Sequence, residues 1–234
     1  MTDGSMYLRT VDELTDVDEP AWPQIQEWVN GGAHRLLPIS NERARAELER
    51  LQVTVRSGAG ALTYHCGGIL ADHGWLKIFG GGTENFPSLH NMTGEGLMVC
   101  AVDVLGGVFA ADWGGIKESN GEIHYWPFDT LKWEPCGFGH YDFLHWALTC
   151  TDKLNGFYHD WRWPNWEADI ENLTPDVGIG LSPPPSTREG HDINQVSRRP
   201  IPMVEICREL QMLGELYADV DPYPIDWNPT PTNT

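Results

Sequence analysis

Short apolar runs broken by glycine constrain the fold of this chain more than any other feature, and they dominate the sequence from Val53 onward. The clearest example is the stretch VCAVDVLGGVFAADWGG at 99–115, where Gly106 and Gly107 separate two apolar runs. Such runs between glycine turns are typical of antiparallel strands joined in hairpins. The pattern predicts a central antiparallel sheet, a meander of about six strands, with strands near residues 60–65, 68–71, 75–79, 97–104, 107–112 and 122–126.

Helical spacing of apolar residues on both sides of this meander predicts helices that flank the sheet. Trp22, Ile25 and Val29 recur at helical spacing, and Ser40 is a suitable N-cap for a second helix. An antiparallel sheet with helices segregated from its strands is an α+β fold. The predicted helices begin near Trp22, Ser40, His140 and Pro202, with two short helices within 151–175.

The length of 234 residues is enough for one domain with a substantial core. We expect a flexible N-terminus over 1–10, a single α+β domain over 11–217, and an acidic, proline-rich tail over 218–234 that is partly disordered. Inside the domain, residues 178–200 contain three consecutive prolines and few apolar residues. That composition predicts an irregular loop.

The charge is strongly unbalanced, with 34 Asp and Glu against 15 Lys and Arg and a formal net charge of −19. Such a field repels nucleic acids and anionic membranes and attracts basic partners. A net charge of this kind also keeps many proteins soluble without any specific partner. The charge therefore argues against binding to nucleic acid or membrane, and it leaves a basic protein partner open.

Cysteine usage and hydropathy indicate the compartment. The five cysteines are an odd number without a CxxC pair, which argues against a disulfide framework and a zinc site and favours a reducing environment. The first residues are polar and acidic, unlike a signal peptide, and no apolar run approaches the roughly 20 residues that cross a bilayer. We therefore expect a cytoplasmic protein.

Two aspartates, Asp103 and Asp112, interrupt the apolar hairpin. In a two-residue hairpin around Gly106-Gly107, Asp103 lies opposite Ala110 and Asp112 opposite Ala101, so the two carboxylates share one face diagonally. A hydrolytic pair of carboxylates requires such an arrangement. The alternative is that both aspartates hydrogen-bond their turns or face solvent. No third polar group stands at a defined spacing, so we assign no catalytic residue.

Metal and cofactor motifs are not evident in the sequence. His140 and His145 are five residues apart and therefore point to different faces of a helix, whereas helical zinc ligands are commonly four apart. The three glycines at 80–82 follow a predicted strand but precede a loop, so they do not form a phosphate-binding helix start. We predict no metal and no cofactor.

The segment Trp161-Arg-Trp-Pro-Asn-Trp166 contains the densest cluster of tryptophans. Three such rings can form a platform for a sugar or a nucleobase, or they can attach a segment poor in aliphatic residues to the core. We keep both interpretations open. The candidate binding residues are Asp103, Asp112, Trp113, Asp129, Trp161, Trp163 and Trp166.

Five short motifs occur in order along most of the chain. They are Ala21-Trp-Pro-x-Ile-Gln-x-Trp28, Gly67-Gly-Ile-Leu-x-Asp-x-Gly-Trp75, Asp103-Val-Leu-Gly-Gly-x-Phe-Ala110, Tyr125-x-x-x-Asp-Thr-Leu-x-Trp133 and Phe143-Leu-x-Trp146. Together they resemble the bacterial domain-of-unknown-function family 2625 over roughly residues 10–215. This resemblance implies family membership and supplies no activity.

A looser resemblance rests on the order of four elements. They are the acidic strand, the glycine turn, the strand ending Tyr125-Trp-x-x-Asp129 and the helix beginning near Tyr141. This order is similar to the SUKH superfamily, named for Smi and Knr-like proteins. The superfamily has an α+β fold and includes many bacterial immunity proteins that neutralise toxins, often nucleases. The chain departs from it in the segment 80–96 and after residue 150.

Three functional hypotheses follow. The first is a non-catalytic protein-binding domain, an immunity protein that neutralises a basic toxin of the nuclease type. The second is a hydrolase that uses Asp103, Asp112 and a histidine. The third is a carbohydrate- or nucleotide-binding module built on the cluster from Trp161 to Trp166. Because no catalytic constellation is evident, we favour the first hypothesis.

Overall fold

A large antiparallel sheet forms the centre of the computed structural model, which describes residues 8–94, 96–116, 121–217 and 219–228. Its strands are β1 (Arg35–Leu37), β2 (Gly68–Ala71), β3 (Leu76–Phe79), β4 (Thr93–Gly94), β5 (Leu97–Asp103), β6 (Val108–Asp112), β7 (Glu122–Trp126) and β8 (Glu134–Gly139). The spatial order is β1-β2-β3-β5-β6-β7-β8, with β4 paired to β5, and all pairings are antiparallel. The predicted antiparallel sheet is confirmed, and it has two more strands than the six predicted.

The helices are α1 (Val11–Thr15), α2 (Trp22–Asn30), α3 (Asn41–Leu51), α4 (Gly58–His65), α5 (His140–Thr149), α6 (Thr151–Phe157), α7 (Trp166–Ile170) and α8 (Met203–Leu216). The Ser40 hydroxyl accepts a hydrogen bond from the Arg43 backbone N–H and thereby caps α3. Helices α2, α4 and α5 pack against one another, and α5 also packs on β7 and β8. The α+β fold class and the predicted helix starts are confirmed.

The middle of the sheet is buried on both faces. Every residue of β6, and every residue of β5 after Leu97, is buried. Phe143 of α5 covers Phe109 of β6, with ring centroids 5.0 Å apart. Burial on both faces explains why these strands are nearly continuous apolar runs, which are not expected when one sheet face is solvated. No described helix is long and apolar enough to cross a membrane.

The segment 60–65 is helical, so the strand predicted there is wrong. It belongs to α4, which is buried along Gly58–Thr63 and is capped by the Ser57 side chain. A Cβ atom at Gly60 would collide with the backbone carbonyl of Thr54, so a small residue is needed for this close packing. Because the helix is buried almost all round, its sequence shows no amphipathic spacing, and its short apolar run resembles a strand.

The prediction of an irregular loop at 178–200 is wrong at both ends of that segment. Strand β9 (Val177–Ser182) pairs antiparallel with β10 (Ser197–Pro202) in a second, two-stranded sheet. This hairpin packs against α8, and the Ile179 backbone N–H donates to the Val104 carbonyl oxygen at 2.8 Å. Tertiary contacts therefore order strands whose own composition, with Gly178, Gly180 and two prolines, does not favour β-structure.

Part of the acidic tail packs on the domain. Tyr223, Ile225 and Trp227 are buried, and the Tyr223 hydroxyl donates to the Gly106 carbonyl oxygen at 3.0 Å. The Trp227 ring lies 6.0 Å from that of Phe79. Residues 1–7, 218 and 229–234, which belong to the predicted flexible N-terminus and the predicted tail, lie outside the described residues.

Candidate functional site

Asp103 and Asp112 lie far apart on the β5–β6 hairpin, so the predicted diagonal pairing is wrong. Asp112 pairs with Leu97 at the start of β5, whereas Asp103 ends that strand. A register shift between Val99 and Ala101 and a turn longer than two residues account for the difference. Asp103 lies six residues after Leu97 along the strand, a distance of roughly 20 Å. The two carboxylates therefore do not form a hydrolytic pair.

Asp103 organises the turn between β5 and β6 from inside the core. Its Oδ1 accepts hydrogen bonds from the backbone N–H groups of Leu105 and Gly107, both at 2.9 Å. Its Oδ2 accepts from the hydroxyls of Tyr125 at 2.7 Å and Tyr158 at 3.2 Å. Burial raises the pKa of Asp103 to about 6, although these four hydrogen bonds act in the opposite direction. This carboxylate is a structural centre shared by three elements of the fold.

Asp112 organises the turn at the other end of the hairpin in the same way. Its Oδ1 accepts from the backbone N–H groups of Gly114 at 2.8 Å and Ile116 at 3.0 Å. Trp113 follows it with 55% of its surface exposed. Both aspartates therefore hydrogen-bond their own turns, which is the alternative to a catalytic pair that the sequence analysis kept open.

The tryptophans of the segment 161–166 do not form one open platform. Trp163 is buried against Trp75, with ring centroids 5.8 Å apart, and its indole N–H donates to the carboxylate of Asp169 at 2.7 Å. Trp166 packs edge-on against Trp75 at 5.1 Å. Trp161 faces a different neighbour, Phe128, at 4.9 Å. The rings mainly attach this segment to the core.

Arg162 is the centre of that packing. Its guanidinium carbon lies 4.1 Å from the Trp166 ring centroid and 4.9 Å from that of Trp75, and one of its Nη atoms pairs with the Asp72 carboxylate. Only 6% of the Arg162 side chain is exposed. A buried pair held between aromatic faces fixes the segment in place rather than offering a charge to a ligand.

Two of the predicted site residues, Asp129 and Trp161, meet in one polar cleft of about 500 Å³, which we call the acid cleft. Asp129 follows β7, residues 159–162 follow α6, and residues 191–194 lie between β9 and β10. The acid cleft is lined by Asp129, His159, Asp160, Trp161, Arg162, His191, Asp192, Ile193 and Asn194.

The walls of the acid cleft carry two His-Asp dipeptides, His159-Asp160 and His191-Asp192. The His159 Nε2 lies 3.0 Å from an Asp160 oxygen, and 75% of the Asp160 side chain is exposed. The His191 ring packs edge-on against Trp161 at 5.7 Å. Sequence reasoning missed these four polar residues. A sequence signal was present, because the dipeptide His-Asp occurs at both positions and its first copy directly precedes Trp161.

The chemistry available to the described residues is limited. Among them, no group of three or more His, Cys, Asp or Glu side chains is arranged to hold a metal ion. Burial raises the pKa of the Cys66, Cys136 and Cys207 thiols to about 12, so these thiols stay protonated and poorly nucleophilic at neutral pH. The acid cleft instead offers accessible carboxylates beside an aromatic ring, a combination that suits cationic groups.

Comparison with known proteins identifies the family. The family model described as "Protein of unknown function DUF2625" matches residues 11–206. The chain belongs to this family. That match contains both aspartate turns, the tryptophan segment and the whole acid cleft, and it ends within α8 before the buried residues of the tail.

Two bacterial relatives of this DUF2625 protein are similar over most of their length. It is 35% identical over 185 residues to the putative uncharacterized protein YbfG of Escherichia coli K12, covering 75% of this chain and 85% of the relative. It is 28% identical over 208 residues to an uncharacterized protein of Haemophilus influenzae, covering 80% of this chain and 90% of that relative. No solved structure matches this DUF2625 protein.

Proposed function

We propose that this DUF2625 protein is a non-catalytic binding protein that captures a basic protein partner through the acid cleft. The observation that carries the proposal is the cleft itself, where three aspartates from separate parts of the chain line the same cavity as Trp161. Exposed carboxylates beside an aromatic ring match the Lys and Arg side chains of a basic surface. The net charge of −19 adds long-range attraction for the same partner.

The arrangement of polar groups favours binding over hydrolysis. Asp103 and Asp112 each hydrogen-bond their own turn, and they lie at opposite ends of β5. The lining of the acid cleft includes His159 and His191 but neither Asp103 nor Asp112. A hydrolase would need a base, an acid or nucleophile, and a reacting group within hydrogen-bond reach of one another.

We further propose that the partner is a toxin of the nuclease type and that this protein is its immunity protein. Nucleases that bind phosphate backbones carry basic surfaces, which are complementary to an acidic inhibitor. The resemblance to the SUKH superfamily supports the same proposal. Under this hypothesis the partner is a basic protein encoded next to this chain, and neither nucleic acid nor membrane is bound.

Co-expression with the product of the neighbouring gene tests the proposal. We expect rescue of growth, a complex that survives size-exclusion chromatography, and association that slows as salt rises. At 0.15 M ionic strength, charges are screened beyond about 8 Å, so stopped-flow association rates should fall clearly from low to high salt while dissociation changes less. Failure of rescue together with failure to form any complex contradicts the function.

A charge-matched pair of double variants tests the acid cleft. Asp160→Asn with Asp192→Asn removes two charges inside the cleft, whereas Glu42→Gln with Glu49→Gln removes two exposed charges on α3. We expect the cleft variant to associate about five- to tenfold more slowly and the α3 variant to change by about twofold or less. Equal effects of the two variants would show that only the net charge matters and that the cleft is not the contact surface.

A further inference from the structure

A second pocket, lined mainly by aromatic rings, opens beside the edge strand β8. It has a volume of about 250 Å³ and lies where α5 and α6 approach β6, β7 and β8. This volume is slightly below the range of pockets for drug-sized ligands, so it suits a compact head group. The aromatic pocket is lined by Phe109, Tyr125, Glu134, Pro135, Cys136, Phe138, Trp146 and Phe157.

Phe109 lies at the centre of the ring arrangement. Its ring centroid is 4.5 Å from that of Tyr125 and 5.8 Å from each of those of Trp146 and Phe157. Phe138 packs against Trp146 at 5.9 Å. Phe157 is 42% exposed, an unusual exposure for a ring that contacts three other aromatic residues of a pocket. Phe109 and Tyr125 are buried and form the floor of the pocket, whereas Phe138, Trp146 and Phe157 are partly or fully exposed, so these three rings are accessible from it.

The only charged residue that lines the described pocket is Glu134. It lies on the edge strand and is exposed, so its carboxylate is available at the mouth. A second carboxylate lies behind the wall, because the Tyr125 hydroxyl donates to Asp103 at 2.7 Å. A phenol that donates to a carboxylate has a more electron-rich ring, and electron-rich ring faces attract cations. The charged residue of the lining and the charged partner of Tyr125 are thus both carboxylates.

We propose that the aromatic pocket binds the alkylated ammonium head group of an organic cation. Several aromatic faces with one carboxylate are the surroundings in which a quaternary or methylated ammonium ion replaces its weak hydration by cation–π contacts. A neutral apolar ligand would gain nothing from Glu134, and an anion would be repelled by it. The head group can come from a free small molecule or from a methylated lysine side chain.

This site is separate from the acid cleft and does not depend on the proposed partner. The aromatic pocket and the acid cleft share no lining residue. Phe157 lines the aromatic pocket and His159 lines the acid cleft. Because these residues are two positions apart in the chain, the two sites lie near each other on the molecule. A partner in the acid cleft could therefore contact a ligand in the aromatic pocket, but ligand binding is measurable on the isolated protein.

Titration of the purified protein with matched probes tests this proposal. Tetramethylammonium and choline are the cationic probes, and 3,3-dimethylbutanol is the neutral probe of the same shape as choline. Binding is followed by calorimetry and by shifts of the tryptophan indole resonances in NMR spectra. We expect both cations to bind at least about tenfold more tightly than the neutral alcohol. Equal affinity of choline and the alcohol would overturn the proposal.

Variants locate the binding site. Phe157→Leu removes an exposed ring of the pocket, and Tyr141→Leu removes a ring with the same 42% exposure outside it. Loss of one cation–π contact should weaken choline binding between about twofold and thirtyfold in Phe157→Leu and leave Tyr141→Leu unchanged. Glu134→Gln should also weaken binding, whereas Glu205→Gln on α8 should not. Unchanged binding in both pocket variants would contradict the site even if choline binds elsewhere.

Two further probes distinguish the sources of the head group. A short peptide that contains trimethyllysine is compared with choline, and the same peptide with unmodified lysine is the control. Tighter binding of the trimethyllysine peptide than of choline identifies a protein side chain as the source. Tighter binding of choline identifies a small molecule. Failure of the co-expression experiment with success of these titrations would remove the basic-partner proposal and leave this site intact.

Discussion

The turns at Asp103 and Asp112 are built by the same local rule and placed in different surroundings. In each turn, one carboxylate oxygen accepts the backbone N–H groups of the second and fourth following residues. Both aspartate side chains are buried, but the turn hydrogen bonds of Asp103 are buried whereas those of Asp112 are only partly buried, because Gly114 is exposed and Ile116 is half-buried. Asp103 also accepts from two tyrosine hydroxyls, whereas the residue after Asp112 is an exposed tryptophan.

This comparison shows that an aspartate can form the same turn in two places and still contribute very different amounts to the free energy of unfolding. A carboxylate in an Asx-type turn satisfies backbone donors wherever it occurs. The free energy needed to bury the carboxylate, and the stability lost when it is removed, depend on whether water can reach the backbone donors in its place.

Asp103→Ala should lower the free energy of unfolding by about 4 kcal/mol, because it leaves two backbone N–H groups and two tyrosine hydroxyls without their acceptor in a buried place. Asp112→Ala should cost about 1–2 kcal/mol, since water can reach the partly buried donors of its turn. Urea unfolding at pH 7 measures both values. Equal losses would show that the aromatic surroundings of Asp103 contribute nothing.

The pH dependence of stability should reveal the Asp103 carboxyl. Its folded-state pKa of about 6 lies above the unfolded value of about 3.9, so the folded state binds more protons between these values. Stability from this group is therefore present below about pH 4 and is lost as pH rises through about 6, by up to about 3 kcal/mol. Other buried groups act in the opposite direction, since burial lowers the pKa of His140 to about 4.

Asp103→Asn isolates this contribution, because its amide oxygen can still accept the two backbone hydrogen bonds of the turn. Relative to the wild type, the variant should gain stability as pH rises from 4 to 7. Unfolding curves at several pH values measure the difference. Parallel pH profiles of the two proteins would mean that the pKa of Asp103 is not raised.

The glycines of the two turns should respond differently to alanine. A Cβ atom at Gly107 would collide with the Tyr125 hydroxyl and with Asp103 Oδ2, so Gly107→Ala should cost about 2–3 kcal/mol. Gly114 has open space around it but a φ of +106°, so Gly114→Ala should cost only about 1 kcal/mol of backbone strain. Thermal unfolding ranks the two variants. A larger loss at Gly114 would reverse the comparison.

Substitution of one aromatic residue at each turn should have the smallest effects. Tyr158→Phe deletes a 3.2 Å hydrogen bond to Asp103 and should cost about 1 kcal/mol. Because this bond lowers the pKa of Asp103, its loss should also raise that pKa further. Trp113→Leu, at an exposed ring, should change stability by about 0.5 kcal/mol or less. NMR titration and urea unfolding provide the two measurements.

Local patterns predicted much of the fold but little of the candidate site. The strands 68–71 and 107–112 and the Ser40 cap were predictable because short apolar runs, glycine turns and capping act within a few residues. The Arg162–Asp72 pair was not, since its members are 90 residues apart. The acid cleft likewise joins residues 129, 160 and 192 from three separate connections.

The antiparallel hairpins, the helix starts, the acidic net charge and the family all follow from the amino-acid sequence alone. These properties depend on composition or on contacts between near neighbours, and short-range sterics and hydrogen bonding decide them. Packing between distant segments makes 60–65 a buried helix, pairs 177–182 with 197–202, and brings Asp103 to two tyrosine hydroxyls. Each of these outcomes depends on burial against distant segments, and burial outweighs local propensity when the two disagree.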